Sequence, residues 1–260
     1  MLKKIIRSIK TFNENRVLLA NNLKKLNKII SPNDLMYKSD KENYLNWGKM
    51  ALECVERTLK KVGKTEVSSI LDLPCGHGRV LRFLKAAFPE AIITACEIDQ
   101  DGVDFCVKTF GARGVYSSKN PDEIPIDGKF DLIWCGSLLT HLNQDKWYDF
   151  IKFFSKHLEK DGILIFTAHG ECIIDYLRKG KENLGLDKNQ INKILEDYDL
   201  QGFGYINYFG NNSYGISLSS SVWVLNLLKE FPQLKLIEHN SGGWGSSHYH
   251  QDSYAFIRKD

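Results

Sequence analysis

A chain of 260 residues, 43% hydrophobic and 26% charged, has the make-up of one folded domain with decoration, which excludes a disordered or fibrous protein. A net charge of +3 is too small to argue for nucleic acid, and no nucleic-acid partner is expected. Six scattered cysteines without a Cys-x-x-Cys pair fit a reducing, cytoplasmic setting, and no apolar run approaches the ~20 residues of a membrane span.

Residues 1–30 set Lys3, Lys4, Arg7, Lys10, Arg16, Lys24, Lys25 and Lys28 against one acid, Glu14. Apolar residues recur there every three to four positions, so the segment reads as one or two basic amphipathic helices. Its apolar face would pack on its own domain, on a partner subunit or on an anionic membrane surface. The N-terminus lacks a continuous apolar stretch and a small-residue cleavage site, so no signal peptide is expected. Residues 1–45 are taken as a basic helical arm and 46–260 as the main domain; oligomeric state is left open. Ser31-Pro32-Asn33-Asp34 breaks the helical pattern, and a second helix is predicted over about Tyr44 to Val62.

From Val67 strands and helices alternate. Strands are predicted at Val67–Leu73, Ala91–Glu97, Gly114–Ser117, Phe130–Cys135 and Ile163–Ala168, the last after a Lys160-Asp161-Gly162 turn. Helices fall at Gly78–Phe88, Asp99–Phe110 and Trp147–Leu158. That alternation means an α/β fold with a parallel sheet covered on both faces. Residues 171–220 interrupt it with a polar helical stretch and a segment rich in Gly, Asn, Ser and Tyr, read as an inserted lid. A helix at Val222–Phe231 and strands at Leu234–His239 and Ser253–Arg258 finish the chain. The link between those strands lacks room for a helical crossover, so they are read as an antiparallel pair.

The sharpest local signal is Ile70-Leu-Asp-Leu-Pro-Cys-Gly-His-Gly-Arg79, a strand running into a turn at Gly76 and Gly78 and then opening a helix. Glycines allow close backbone approach to a ligand, and a helix N-terminus offers unpaired N–H groups. Glu97 ends the next strand about 20 residues on, where a carboxylate can accept two ribose hydroxyls. Asp72 precedes the glycines, and Phe130-Asp131-Leu-Ile-Trp-Cys135 supplies a central strand.

These residues resemble class I S-adenosylmethionine-dependent methyltransferases. Asp72 to Gly78 resembles the family's Asp-x-Gly-Cys-Gly-x-Gly signature, with Pro74 in place of the first glycine. Glu97 matches its ribose-binding acid, Phe130-Asp131-Leu132-Ile133 its fourth-strand motif, and Lys160-Asp161-Gly162-Ile-Leu its fifth. The resemblance implies a Rossmann-like seven-stranded sheet of order 3-2-1-4-5-7-6, the last strand antiparallel, with N-terminal helices and an inserted lid. It also implies S-adenosylmethionine as cofactor, in a site of Asp72, Pro74, Gly76, Gly78, Glu97, Ile98, Cys135 and Ser137, with Ser117 or Ser118 at the adenine. The Leu-Pro-Cys-Gly-His-Gly-Arg version is similar to a bacterial subgroup associated with glycan and surface-polysaccharide (capsule) gene clusters. Further matches to it are Gly-Ser-Leu-Leu-Thr-His-Leu (136–142), Gly202-Phe-Gly-Tyr205, Tyr214-Gly-Ile-Ser217 and His250-Gln-Asp252.

Ligands of open α/β sheets bind outside the carboxyl ends of the strands. That edge gathers His141 after strand four, His169 after strand five, and His248, His250, Gln251 and Asp252 at the start of the last strand. His169 or His250 is the candidate base, with Asp252 orienting the imidazole or the acceptor; His141 packs the cofactor pocket or shares in catalysis. His248, His250 and Asp252 alternate as metal ligands could, but are read as lining a substrate pocket, and no metal is expected. Tyr205, Tyr208, Tyr214, Trp244 and His248 are the candidate acceptor contacts, aromatic residues beside Gly, Asn and Ser suiting a polar molecule such as a sugar. The stretch Cys135-Gly-Ser-Leu138 lacks the Asn/Asp-Pro-Pro-Tyr pattern of methyltransferases acting on adenine or glutamine nitrogens, which favours oxygen.

The resulting expectation is O-methylation of a saccharide, a nucleotide-activated sugar or a phosphorylated (including phosphoramidate-type) precursor in surface-glycan assembly. Rival readings are methylation of another small metabolite, an NAD-dependent oxidoreductase and a non-catalytic cofactor-binding protein. An NAD enzyme would want a third glycine where Leu81 stands.

Overall fold

A computed structural model describes residues 22–210, 213–246 and 249–260. Helix α1 (Lys41–Val62) is followed by β1 (Ser69–Asp72), α2 (Leu81–Ala87), β2 (Ile92–Glu97), α3 (Gln100–Phe110), β3 (Arg113–Tyr116), β4 (Phe130–Cys135), α4 (Gln144–Lys156) and β5 (Leu158–Ala168). Then come α5 (Glu171–Arg178), α6 (Lys188–Gln201), β6 (Phe203–Asn207), β7 (Gly215–Ser219), α7 (Ser221–Leu227), β8 (Leu234–Ser246) and β9 (Tyr249–Arg258).

Seven strands form one sheet in the order β3-β2-β1-β4-β5-β9-β8, with β6 and β7 paired separately. β1 to β5 are parallel and β9 is antiparallel to β5 and to β8. With the β6/β7 ribbon set aside, this is the expected 3-2-1-4-5-7-6 order. The central strands are apolar runs because both faces are covered. On one face α1 buries Ala51, Cys54, Val55 and Leu59 against Ile70, Leu132 and Trp134; on the other α4 buries Trp147, Phe150, Ile151 and Phe154 against Ile133, Leu164 and Phe166. Asp40, Asp99 and Asn143 start α1, α3 and α4 by accepting a first-turn N–H at the N-cap. Among the described residues no helix is long and apolar enough to cross a membrane.

Four elements differ from the sequence reading. The predicted turn at Lys160-Asp161-Gly162 lies inside β5 as an irregularity in its pairing with β4. A Cβ at Gly162 would meet the Phe130 and Glu159 carbonyls at 2.8 Å, so only glycine lets the ladder close there. β8 runs on to Ser246, absorbing Gly242 and Gly243 in a second register shift, and β9 starts at Tyr249. The inserted segment 171–220 is a built unit with its own core of Ile173, Ile174, Leu177, Ile194, Ile216 and Leu218.

The fourth difference is N-terminal. Residues 1–21 of the expected arm lie outside the described residues, and from Leu26 the chain is not helical. The buried Arg82 explains this: its guanidinium takes the carbonyls of Ile29 (2.7 Å) and Asn27 (3.4 Å), which a helix would have used internally. The 45/46 boundary falls inside α1, whose packing face belongs to the sheet.

Candidate active site

The glycine loop follows β1, as doubly wound sheets place ligand loops. The Gly76 N–H donates to Glu97 Oε2 at 3.1 Å, while Glu97 Oε1 accepts from the Ile98 N–H (2.7 Å) and the Asp99 N–H (3.3 Å). Gly76 has φ +48° and Gly78 φ +75°, conformations that suit glycine. A Cβ at Gly78 would lie 2.5 Å from the Phe110 ring, so that glycine serves packing; a Cβ at Gly76 would project into open space, where a ligand can approach the backbone.

Asp72, at the end of β1, is 1% exposed, and neither carboxylate oxygen has a hydrogen-bond partner among the described residues. Burial, and then the nearby Glu97, hold its pKa well above the usual carboxylate range. An orphaned buried carboxylate is costly, and a cationic ligand group would satisfy it.

Across the sheet edge stands a wall of imidazoles and phenols from β5, β9, the ribbon and the turn after β4. His169, 1% exposed, places Nδ1 3.1 Å from the Ser217 carbonyl and Nε2 2.5 Å from the Tyr249 hydroxyl. A carbonyl only accepts, so Nδ1 carries the proton and Nε2 accepts from Tyr249. Burial, and then His141, push the His169 pKa down to about 3, so it is neutral at physiological pH. His141 is only partly buried and stacks on Tyr214 (centroids 4.7 Å apart, planes at 18°), with Tyr208 6.2 Å and His169 6.4 Å away. Its Nδ1 lies 2.8 Å from the Gly215 carbonyl, which fixes the proton there and leaves Nε2 as a lone pair that no described residue engages. Burial lowers its pKa as well.

Beneath the wall Gln251 ties the strands together. Its Oε1 accepts from the Thr167 hydroxyl (2.5 Å), and its Nε2 donates to Ser137 Oγ (2.8 Å) and weakly to Tyr249 (3.4 Å). Thr167 Oγ1 in turn accepts from the Ser137 N–H at 2.9 Å, which supports the left-handed φ of +61° at Ser137.

Residues 71–164 match the family model of a methyltransferase domain. A malonyl-(acyl-carrier protein) O-methyltransferase of Bacillus cytotoxicus is 27% identical over 142 residues, which cover 54% of this chain and 49% of that protein. The chain spans about half the length of the curated relatives it matches. Magnesium protoporphyrin IX methyltransferase from Synechocystis, solved with S-adenosylhomocysteine bound, aligns over 99% of this chain and 100% of its own, with a TM-score of 0.56 and 13% identity. An S-adenosylmethionine-dependent methyltransferase from Clostridium acetobutylicum aligns over 84% and 92%, with a TM-score of 0.55 and 16% identity. The fold is that of a class I methyltransferase.

Within this methyltransferase fold, Asp72, Gly76, Glu97 and Ile98 come together as expected, beside Pro74 and Gly78. Ser117 hangs from the Glu97 carbonyl by its N–H (2.8 Å), whereas the Ser118 hydroxyl is turned away onto Glu123 (2.8 Å). Of the expected cofactor residues after β4, Ser137 reaches the site network, but the Cys135 side chain is fully buried in the core. The reason is strand alternation: Cys135 shares the α4 side of the sheet with Ile133.

Three expectations about the last strands are corrected. Asp252 does not orient His169; its carboxylate accepts from the Gly242 N–H (2.9 Å) and meets His239 Nε2 (2.9 Å), holding the irregular stretch of β8. Alternation places His250 on that same side, next to Gly242, away from Tyr249 and Gln251. Trp244 is no acceptor contact: it is 1% exposed between Trp47 and Trp134, its indole N–H donating to the Trp47 carbonyl at 3.0 Å. Tyr208 and Tyr214 line the wall, and the Tyr205 hydroxyl donates to Asn207 (2.7 Å) on the ribbon's outer part. His248 lies outside the described residues, and among those described no group of three His, Cys, Asp or Glu is placed to hold a metal. Gln251 was among the residues expected at this edge, but Tyr249 was missed because the sequence places the start of β9 at Ser253; period-two alternation carried back through 249–253 would have found it.

Proposed function

We propose that this chain transfers a methyl group from S-adenosylmethionine to an oxygen of a small polar acceptor: a saccharide, a nucleotide-activated sugar or a phosphorylated precursor in glycan assembly. The observation that carries the reading is the Asp72 carboxylate, buried with both oxygens unanswered beside the Gly76–Glu97 clasp. Such a pair fits a ligand with a cationic end and a ribose. Asp72 would meet the cation, Glu97 the ribose hydroxyls, and the open space at Gly76 would let the ligand lie on the loop. When bound, S-adenosylmethionine supplies an electrophilic methyl group on a sulfonium.

The protein's part is to hold the acceptor, exclude water and take a proton. His141 is the base: its proton is fixed on Nδ1 by Gly215, Nε2 is unengaged, and it is less buried than His169. Tyr249 positions the acceptor. Its hydrogen goes to His169 and Gln251 meets one oxygen lone pair weakly, which leaves the other to accept from a hydroxyl of the acceptor beside the one that gives its proton to His141. The α5–β7 unit carries Tyr208 and Tyr214 over this edge and is tied down by the Ser219 N–H to the His169 carbonyl (3.0 Å). Oxygen is favoured by the absent Asn/Asp-Pro-Pro-Tyr pattern and by the similarity to the O-methyltransferase of Bacillus cytotoxicus.

The test is transfer of label from methyl-labelled S-adenosylmethionine to sugar nucleotides, sugar phosphates and short-chain dicarboxylate thioesters. Label stable to mild alkali marks a methyl ether on a hydroxyl, the expected outcome; alkali-labile label marks a methyl ester. Label taken only by amines would overturn the oxygen reading.

A further inference from the structure

Arg79 follows Gly78 directly, and its guanidinium lies 5.3 Å from the Trp47 ring centroid and 5.9 Å from that of Tyr44. Those rings account for its faces. They do not account for its five N–H donors, none of which reaches an acceptor or a carboxylate among the described residues. Arg82, three residues on, makes the contrast. Its donors go to the carbonyls of Gly78 (2.9 Å), Ile29, Asn27 and His77 and to the Tyr44 hydroxyl. Arg82 is a finished structural clamp, and Arg79 is not.

The acid whose charge bears on it gives no relief. Asp34 is engaged by the Tyr44 hydroxyl (2.5 Å) and the Met36 N–H (2.9 Å). Burial pulls the Arg79 pKa below its ordinary value, with Tyr44, Asp34 and Tyr249 only partly compensating. A largely desolvated guanidinium with a free planar fork is a place where an oxyanion can be held by two parallel hydrogen bonds.

One aromatic ring links this fork to the acceptor wall. The Trp47 ring against which Arg79 lies is 5.8 Å from the Tyr249 ring. Arg79 therefore lies one ring away from Tyr249 on the acceptor wall. We infer that Arg79 holds an anionic group, a carboxylate or phosphate, carried by the methyl acceptor. The inference rests on the methyltransferase reading and narrows it: the acceptor is an acid, such as a sugar phosphate, a nucleotide-linked sugar or a carboxylate.

The experiment is calorimetric titration of the whole chain with malonate and with inorganic phosphate, in the presence and absence of S-adenosylhomocysteine. It is run on wild type, Arg79→Lys and Arg79→Met, with a thermal melt as the folding check. Wild type is expected to bind at least one anion with a millimolar Kd, Arg79→Met to weaken it about tenfold or more, and Arg79→Lys to weaken it less. S-Adenosylhomocysteine affinity is expected to stay within about threefold in all three. A fall of about tenfold in S-adenosylhomocysteine affinity in Arg79→Met would assign the guanidinium to the cofactor's own carboxylate and overturn the inference. Equal anion binding in all three proteins, or none by wild type up to about 50 mM, would overturn it too. If Arg79→Met does not fold, loss of anion affinity in Arg79→Lys decides. Wild type giving no heat with S-adenosylhomocysteine itself would show that the methyltransferase reading has failed, and this inference with it.

Discussion

The Tyr249 hydroxyl lies 2.5 Å from Nε2 of His169, whose Nδ1 proton is committed to the Ser217 carbonyl. Both nitrogens of His169 are thus engaged, and its pKa near 3 leaves it a poor base. On the proposed reading His169 is a positioning residue for Tyr249, and His141 takes the proton. The two roles separate kinetically. Tyr249→Phe and His169→Gln are expected to raise KM for the acceptor more than they lower kcat. His141→Gln is expected to lower kcat by about 10²–10⁴ with little change in KM. Steady-state kinetics on the three variants checks the split, and an unchanged kcat in His141→Gln would remove it as the base.

Asp72 carries opposite consequences for folding and binding. An unpaired carboxylate buried in the core costs the ligand-free protein stability wherever it carries its charge. Asp72→Asn removes that charge and is expected to raise the ligand-free Tm by about 2–4 °C, the shift for roughly 1 kcal/mol in a chain of this size. The same variant is expected to weaken S-adenosylhomocysteine binding by about tenfold or more. Melting with and without ligand reads both signs at once.

His169 gives a defined pH dependence. Its folded pKa of about 3 lies below the ordinary 6.5, so between those values the unfolded chain takes up a proton that the fold refuses. The stability contribution is fully present above about pH 6.5 and is lost as pH falls toward 3. Asp72 acts in the opposite sense: its raised pKa makes the fold the better proton acceptor above the usual 3.8, and its contribution is lost as pH rises through that raised value. In an Asp72→Asn background, adding His169→Gln is expected to flatten the decline of Tm between about pH 6.5 and 4.

Arg82 and Arg79 are three residues apart on one stretch and should respond differently. Arg82→Met strands five interactions and frees the segment 27–34 from the glycine loop, and is expected to cost about 3 kcal/mol. Arg79→Met removes a side chain with no described hydrogen bond and should leave the Tm nearly unchanged. Urea denaturation of both variants checks the contrast.

Much of this was legible in the sequence because it rests on local rules. The glycines, Asp72 and Glu97 are fixed by strand–turn–helix spacing, the parallel sheet follows from alternating apolar runs and the antiparallel final pair from its short connection, while the strand order is what the resemblance to class I methyltransferases implies. What escaped lay in bulges and phase. Gly162, Gly242 and Gly243 read as loop residues, yet they sit inside β5 and β8 because irregular pairing needs residues without a Cβ. A strand start misplaced from Tyr249 to Ser253 left the facing of the residues before it unassigned, so Asp252 and His250 were brought to His169 together with Gln251, and Tyr249 was overlooked. Trp244 looked like an acceptor contact because its aromatic size is the same in a core as in a pocket; only the positions of Trp47 and Trp134 distinguish them.

The central claim is the cofactor class, and calorimetric titration of the chain with S-adenosylhomocysteine and with NAD, beside Glu97→Ala, tests it most directly. Micromolar binding of S-adenosylhomocysteine, weakened about tenfold or more in Glu97→Ala and without heat from NAD, is the outcome expected from the Gly76–Glu97 clasp and the orphaned Asp72. Binding of NAD with none of S-adenosylhomocysteine would contradict it, and would turn the same loop and acid into a dinucleotide site.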